Sequence, residues 1–238
     1  MDVESRDRLV GNRWVLVGGI LYLLEWVAII GVGVVGVSEF VLRGSAAADV
    51  LSTYADHPDA MWAMAGWFAV VLLGRILLFV GLRSALVDSG RSHPLLDFAV
   101  VAAAVSVTLE IGSYGLAAGA STTAELGEEG LTLAIDQAAV GLNLMLGGGL
   151  GVAVASSVYV MWRSGLFSPW LNMLGAVSGV AMIGAQLSVA PALQGLFDIL
   201  FVSPILFWIW MLWAGVVLWR RTPAQRTQAG AEVSAALP

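Results

Sequence analysis

The chain has no cysteine and no lysine, only two histidines, and charged residues at just 12% of its 238 positions. Without cysteine there is no disulfide, no thiolate metal site and no cysteine nucleophile. His57 and His93 both lie outside apolar stretches, too few and too dispersed to build a haem or multi-histidine zinc site, so no cofactor and no metal are expected. There is no G-x-S-x-G, no H-E-x-x-H and, without lysine, no G-x-x-x-x-G-K-[ST] phosphate loop. Eleven basic against seventeen acidic residues, a net charge of −6, argue against a nucleic-acid partner.

Apolar residues are abundant instead. They make up 59% of the chain, where an ordinary soluble domain has about 45–50% apolar and ~25% charged residues. The mean hydropathy is +0.87. Six runs approach the roughly 20 apolar residues that cross a bilayer core: Trp14–Val37, Met61–Leu82, Leu95–Ala118, Val140–Trp162, Trp170–Val189 and Leu196–Trp219. The first is longer than the ~7–15 residue core of a cleaved signal peptide and reads as a retained span. The expectation is an all-α membrane protein, a six-transmembrane-helix bundle over 14–219. A cytoplasmic segment (1–13) precedes it and a polar, Ala-rich, disordered cytoplasmic tail (220–238) follows.

Proline marks the helix starts. Pro58, Pro94 and Pro169 open runs and follow His57, His93 and Ser168 in the capping position. Pro204, inside the sixth run, is expected to kink it. Arginine sets the orientation. Arg6, Arg8, Arg13, Arg83, Arg91, Arg163, Arg220, Arg221 and Arg226 fall on one side, and Arg43 lies on the other among Glu39, Asp49, Asp56, Asp59, Glu125, Glu128 and Glu129. The positive-inside rule then places both termini in the cytoplasm, in the cell membrane. On the outer side, Ala46–Tyr54 reads as a short surface helix with Val50, Leu51 and Tyr54 on one face, and Thr122 with Glu125 matches a capping-box start.

Three ionisable residues stand inside apolar sequence: Glu25, Arg75 and Glu110. Each costs about 2.5–3.5 kcal/mol at the bilayer centre on insertion scales, so each is expected to face the bundle interior. Counted from the cytoplasmic helix ends, Glu25 lies ~16 Å deep, Arg75 ~11 Å and Glu110 ~22 Å. Arg75 is therefore expected to pair with Glu25, with Glu110 further out as a second partner or a protonated acid. The competing reading has Arg75 snorkelling alone to the headgroups.

Small and polar residues mark the inward stripes: Gly18, Tyr22, Glu25, Gly33 and Gly36; Ala103, Ser106, Glu110, Ser113 and Ala117; Asn143, Gly147 and Gly151; Asn172, Gly175, Gly179, Met182 and Gln186. Glu25, Arg75, Glu110 and Asn143 form the expected polar core. The pairs Gly147/Gly151 and Gly175/Gly179 read as intramolecular helix contacts. Asp136, Gln186 and Asp198 make a weaker outer vestibule, with interfacial solvation the competing account of the aspartates. Phe207, Trp208, Trp210 and Trp213 are expected to be lipid-facing bulk, with a ligand wall as the alternative.

Arg83-Ser84-Ala85-Leu86 before Pro94 is echoed by Arg163-Ser164-Gly165-Leu166 before Pro169, as a duplicated hairpin or as convergence on good helix ends. At Tyr159-Val-Met-Trp-Arg163-Ser164-Gly165-Leu166-Phe167-Ser168-Pro169-Trp170-Leu171 the chain resembles a family of bacterial six-span membrane proteins catalogued as domain of unknown function 4386. That family typically carries Arg-Ser-Gly, then Pro, then an aromatic or basic residue and Leu at a cytoplasmic turn. Gly18–Leu24 and Leu77–Leu86 also look like it. The resemblance runs from Arg13 to Trp219 and places Arg163, Ser164, Gly165, Pro169 and Leu171 in the shared turn. It implies the topology and no activity.

The functional expectation is a non-enzymatic regulatory or accessory membrane protein with a buried polar core and the lipid bilayer as its partner. The alternative is a small-molecule or proton-coupled transporter using the intramembrane carboxylates. An intramembrane enzyme is third, with no catalytic residues assigned.

Overall fold

The computed structural model describes residues 9–34, 46–188, 190, 192–193 and 202–235, the backbone alone at 32–34 and 222–235. Arg6, Arg8, Gly36, Glu39, Arg43 and Asp198 lie outside these residues, as does the side chain of Arg226. The described secondary structure is helical: α1 (Trp14–Leu23), α2 (Glu25–Val34), α3 (Ala47–Asp56), α4 (Pro58–Val71), α5 (Leu73–Asp88), α6 (Pro94–Glu125), α7 (Glu129–Ser164), α8 (Pro169–Leu187) and α9 (Ser203–Ala235). Six helical stretches are long and apolar enough to span a membrane: Trp14–Gly31, Pro58–Asp88, Pro94–Glu125, Glu129–Ser164, Pro169–Leu187 and Ser203–Arg221. The chain is a multi-pass membrane protein by this measure.

The spans pack in a closed ring. α1 lies against α5, α5 against α6, α6 against α7, α7 against α8, α8 against α9, and α9 returns to α1. Glycines set the closest crossings. A Cβ at Gly18 would sit 2.5 Å from the Gly74 carbonyl oxygen and the Leu78 nitrogen, and one at Gly81 would sit 2.9 Å from the Val15 nitrogen, so α1 and α5 touch backbone to backbone. Gly151 and Gly179 make the equivalent contact between α7 and α8, which places the small-residue pairs inside the molecule.

Helix ends follow local chemistry at the arginine-bearing turns. Gly165 takes the left-handed conformation (φ 67°) just past α7, a site a residue with a Cβ disfavours. Ser168 Oγ then accepts from Leu171 N at 3.3 Å to cap α8, Pro169 fills the first turn, and Leu171 is buried. His93 caps α6 through Nδ1, accepting from Leu95 N, whereas His57 occupies the cap position of α4 without a side-chain bond.

Several expectations are corrected. α5 continues through Arg83 to Asp88 while α7 stops at Ser164. Arg83 therefore lies inside a helix, bonded to Asp97, and Arg163 lies at a helix end, so the two Arg-Ser motifs hold different structural positions. Thr122 and Glu125 do not start a helix. They are the last turn of α6, which Gly127 (φ 73°) ends before α7 begins at Glu129. Ala and Ser dominate this stretch and nothing breaks the helix before that glycine.

Pro204 lies in the first turn of α9, where its missing N–H costs no bond and no kink results. The α9 backbone is helical to Ala235. Phe207 and Trp210 are fully buried, against Tyr22 and Phe79, because Gly175 leaves room for the Trp210 ring. Trp213 faces outward as expected.

At 1.5 Å per residue the 32 residues of α6 and 36 of α7 reach about 48 and 54 Å, well beyond a ~30 Å hydrocarbon core. The surplus projects at the end opposite the arginine turns. There α3 packs on α6 and α7 through buried Val50 and Tyr54.

Candidate functional site

Two spans tighten locally beside their charged residues. Leu24 separates α1 from α2, and Val27 N donates to Leu24 O at 3.1 Å, a three-residue closure where a four-residue one is regular. Leu72 separates α4 from α5 in the same way, with Arg75 N donating to Leu72 O at 3.0 Å. The backbone stays right-handed helical through both, at Leu24 (φ −66°, ψ −7°) and Leu72 (φ −65°, ψ −22°). The Trp67 indole N–H is a second donor to Leu24 O, at 2.8 Å. Glu25 lies immediately after this tightened turn.

Arg75 is completely buried. Its Nη2 lies 2.7 Å from Glu110 Oε2, its Nη1 donates to Ser106 Oγ at 3.0 Å, and its guanidinium sits 4.3 Å from the centre of the Tyr22 ring. Nη2 and Oε2 are close but not aligned as a hydrogen bond, and Nε has no acceptor among the described residues. Charge attraction and the ring therefore hold the guanidinium more than directed bonds do. Ser106 and Glu110 lie one turn apart on α6, so a single helix face presents both. The whole expected stripe of Ala103, Ser106, Glu110, Ser113 and Ala117 is buried.

Glu110, which the depth count places further out, is a contact partner of Arg75. The depth count ended the second span at Leu82, whereas α5 runs to Asp88. Measured from the observed ends, Arg75 is ~20 Å and Glu110 ~24 Å deep, nearly level. Glu25 is buried and lies within electrostatic range of both Arg75 and Tyr22. Asn143 reaches α6 but is linked to the Glu110 backbone, not to its carboxylate. Its Nδ2 donates to Ser113 Oγ at 3.4 Å, and Ser113 Oγ donates to the Glu110 carbonyl at 2.7 Å.

Of the expected outer residues, Asp136 and Gln186 have separate partners, and Asp198 lies outside the described residues. Asp136 is buried rather than interfacial, accepting from Tyr54 Oη at 2.8 Å and from Gln137 Nε2 at 3.0 Å. Gln186 Oε1 accepts from Gly148 N at 3.2 Å, reaching backbone that no Cβ covers in the Gly147-Gly148-Gly149 stretch. Asp136 is enclosed because α3 lies over it, which is long-range packing that span counting does not contain. Burial first, and then the Asp136 carboxylate, push the Tyr54 phenol above its ordinary range, so it stays a donor. Tyr54→Phe leaves Asp136 Oδ1 without that donor, and the expected loss is about 1–3 kcal/mol of stability, measured by thermal unfolding in detergent.

Among the described residues no three metal-ligating side chains converge. Comparison with protein-family models, with curated proteins and with solved structures finds no match for the chain.

Proposed function

We propose that this is a multi-pass protein of the cytoplasmic membrane, both termini inside, acting as a non-enzymatic regulatory or accessory protein whose buried ion pair fixes how its spans pack. The observation that carries this reading is the enclosure of Arg75. It is wholly buried, with Glu110, Ser106 and Tyr22 on its approaches. A charge held this way rejects wrong helix registers, each of which strands it in lipid. The inside placement of the termini rests on the arginine asymmetry. Kinship with domain of unknown function 4386 rests on the Arg163–Leu171 turn, whose Gly165 and Ser168 have evident structural roles.

A proton-coupled or small-molecule transporter is the second reading. It is favoured by two carboxylates, Glu25 and Glu110, buried beside Arg75 within the spans. The cysteine-free chain allows a direct test. With single cysteines at Ser106 and Ser113, a water-soluble maleimide labels neither from either side if the core is dry, and labels at least one if a water-filled path reaches it. Exposed Ser52→Cys and Ser92→Cys report orientation. Ser52→Cys is labelled in intact cells and Ser92→Cys only after permeabilisation; the reverse pattern overturns the topology.

A further inference from the structure

Between α8 and α9 the outward surface is concave. Trp170, Met173, Leu174 and Val177 of α8 and Trp213 of α9 line a groove of about 430 Å³. Its walls are apolar and its two indoles exposed, Trp170 at 71% and Trp213 at 41%. Gly175 packs against the inward Trp210, and Ser178 bonds to the Ser203 carbonyl, which fixes the antiparallel alignment of the two helices. In that alignment the groove opens toward the arginine-bearing end. Two turns beyond Trp213, on the same α9 stripe, stands exposed Arg220, ~10.5 Å further along the axis. Among the described residues neither ion pair of the molecule engages it.

We propose that this groove is a site for one anionic phospholipid, with an acyl chain seated between Trp170 and Trp213 and the headgroup phosphate on Arg220. The apolar section lies at the level of the membrane span, and the free cation lies where a headgroup would be. That is the charge and polarity order of a phospholipid read from tail to head.

The test uses the full chain reconstituted in bilayers, with phosphatidylglycerol or phosphatidylcholine brominated on the acyl chain. Bromine quenches tryptophan by contact, and comparison with Trp213→Phe isolates that residue among the ten tryptophans. The quenching lost in Trp213→Phe is expected to show about a fivefold preference for phosphatidylglycerol, the factor one arginine near an anionic surface supplies. Arg220→Gln removes the preference and Arg220→Lys keeps it. Arg220 is exposed near the end of the span, so neither variant threatens the fold, and Met173→Trp, which fills the groove, abolishes quenching of Trp213 by either lipid. Equal quenching by the two lipids in the parent protein, or a preference that survives Arg220→Gln, overturns the proposal. So does Trp213 quenching that disappears as protein concentration rises, which would show a second copy occupying the groove.

Discussion

Arg75→Leu is expected to cost about 3–5 kcal/mol, the range seen when one partner of a buried ion pair is removed. The loss comes less from the missing attraction than from what stays behind. Glu110 keeps its place on α6 with no guanidinium at 2.7 Å, and buried Glu25 loses the same compensating charge. Glu110→Leu should cost less, because Arg75 retains Glu25 within electrostatic range and the Tyr22 ring at 4.3 Å. The double variant Arg75→Leu/Glu110→Leu removes both ends of the contact and should recover most of the loss, since apolar side chains fill such a site at little cost. Pairing Arg75→Leu with Glu25→Gln instead should recover less. The measurement is unfolding of purified protein in mixed micelles, with the parent, the three single variants (Arg75→Leu, Glu110→Leu and Glu25→Gln) and the two double variants compared as two double-mutant cycles. A cycle in which Glu25 couples to Arg75 more strongly than Glu110 does would contradict the geometry.

This order of effects separates what could be read from the chain from what could not. The six spans were legible because run length and the prolines at 58, 94 and 169 are local signals, and the structure keeps those starts. So was the buried face of α6, where small and polar residues recur every three or four positions between Ala103 and Ala117. The partner of Arg75 was not, because it depends on where α5 ends. Arg83 to Asp88 looks like a polar turn, yet it is helix, partly held by Arg83 bonding to Asp97 across the turn. Phe207 and Trp210 were assigned to lipid because bulk and hydrophobicity are the same on either face of a membrane helix. Only the space left by Gly175 puts Trp210 inside. Asp136 read as interfacial because nothing in its own segment announces that Tyr54, 82 positions earlier, covers it.

The α1–α5 crossing was half legible. Gly18 stood on an inward stripe, but Gly74 and Gly81 lie seven apart beside an arginine and carry no short-spaced motif. Their importance sets the second large prediction. Gly18→Ala adds one methyl that would meet the Gly74 oxygen and Leu78 nitrogen at 2.5 Å, both backbone atoms that no rotamer change can move. The helices must separate, so the cost should reach or exceed the upper part of the 1–3 kcal/mol range, about 3 kcal/mol, typical of overpacking. Gly66→Ala provides the control. It is the same change within a span of the same molecule, with nothing within 4 Å of the new Cβ, and it should gain up to about 1 kcal/mol from helix propensity. Separation of α1 from α5 also moves Tyr22 away from Arg75, so Gly18→Ala should render Ser106→Cys reactive to a water-soluble maleimide while Gly66→Ala does not. Equal stability of the two alanine variants would mean that the α1–α5 contact is not the close crossing on which the enclosure of Arg75 depends.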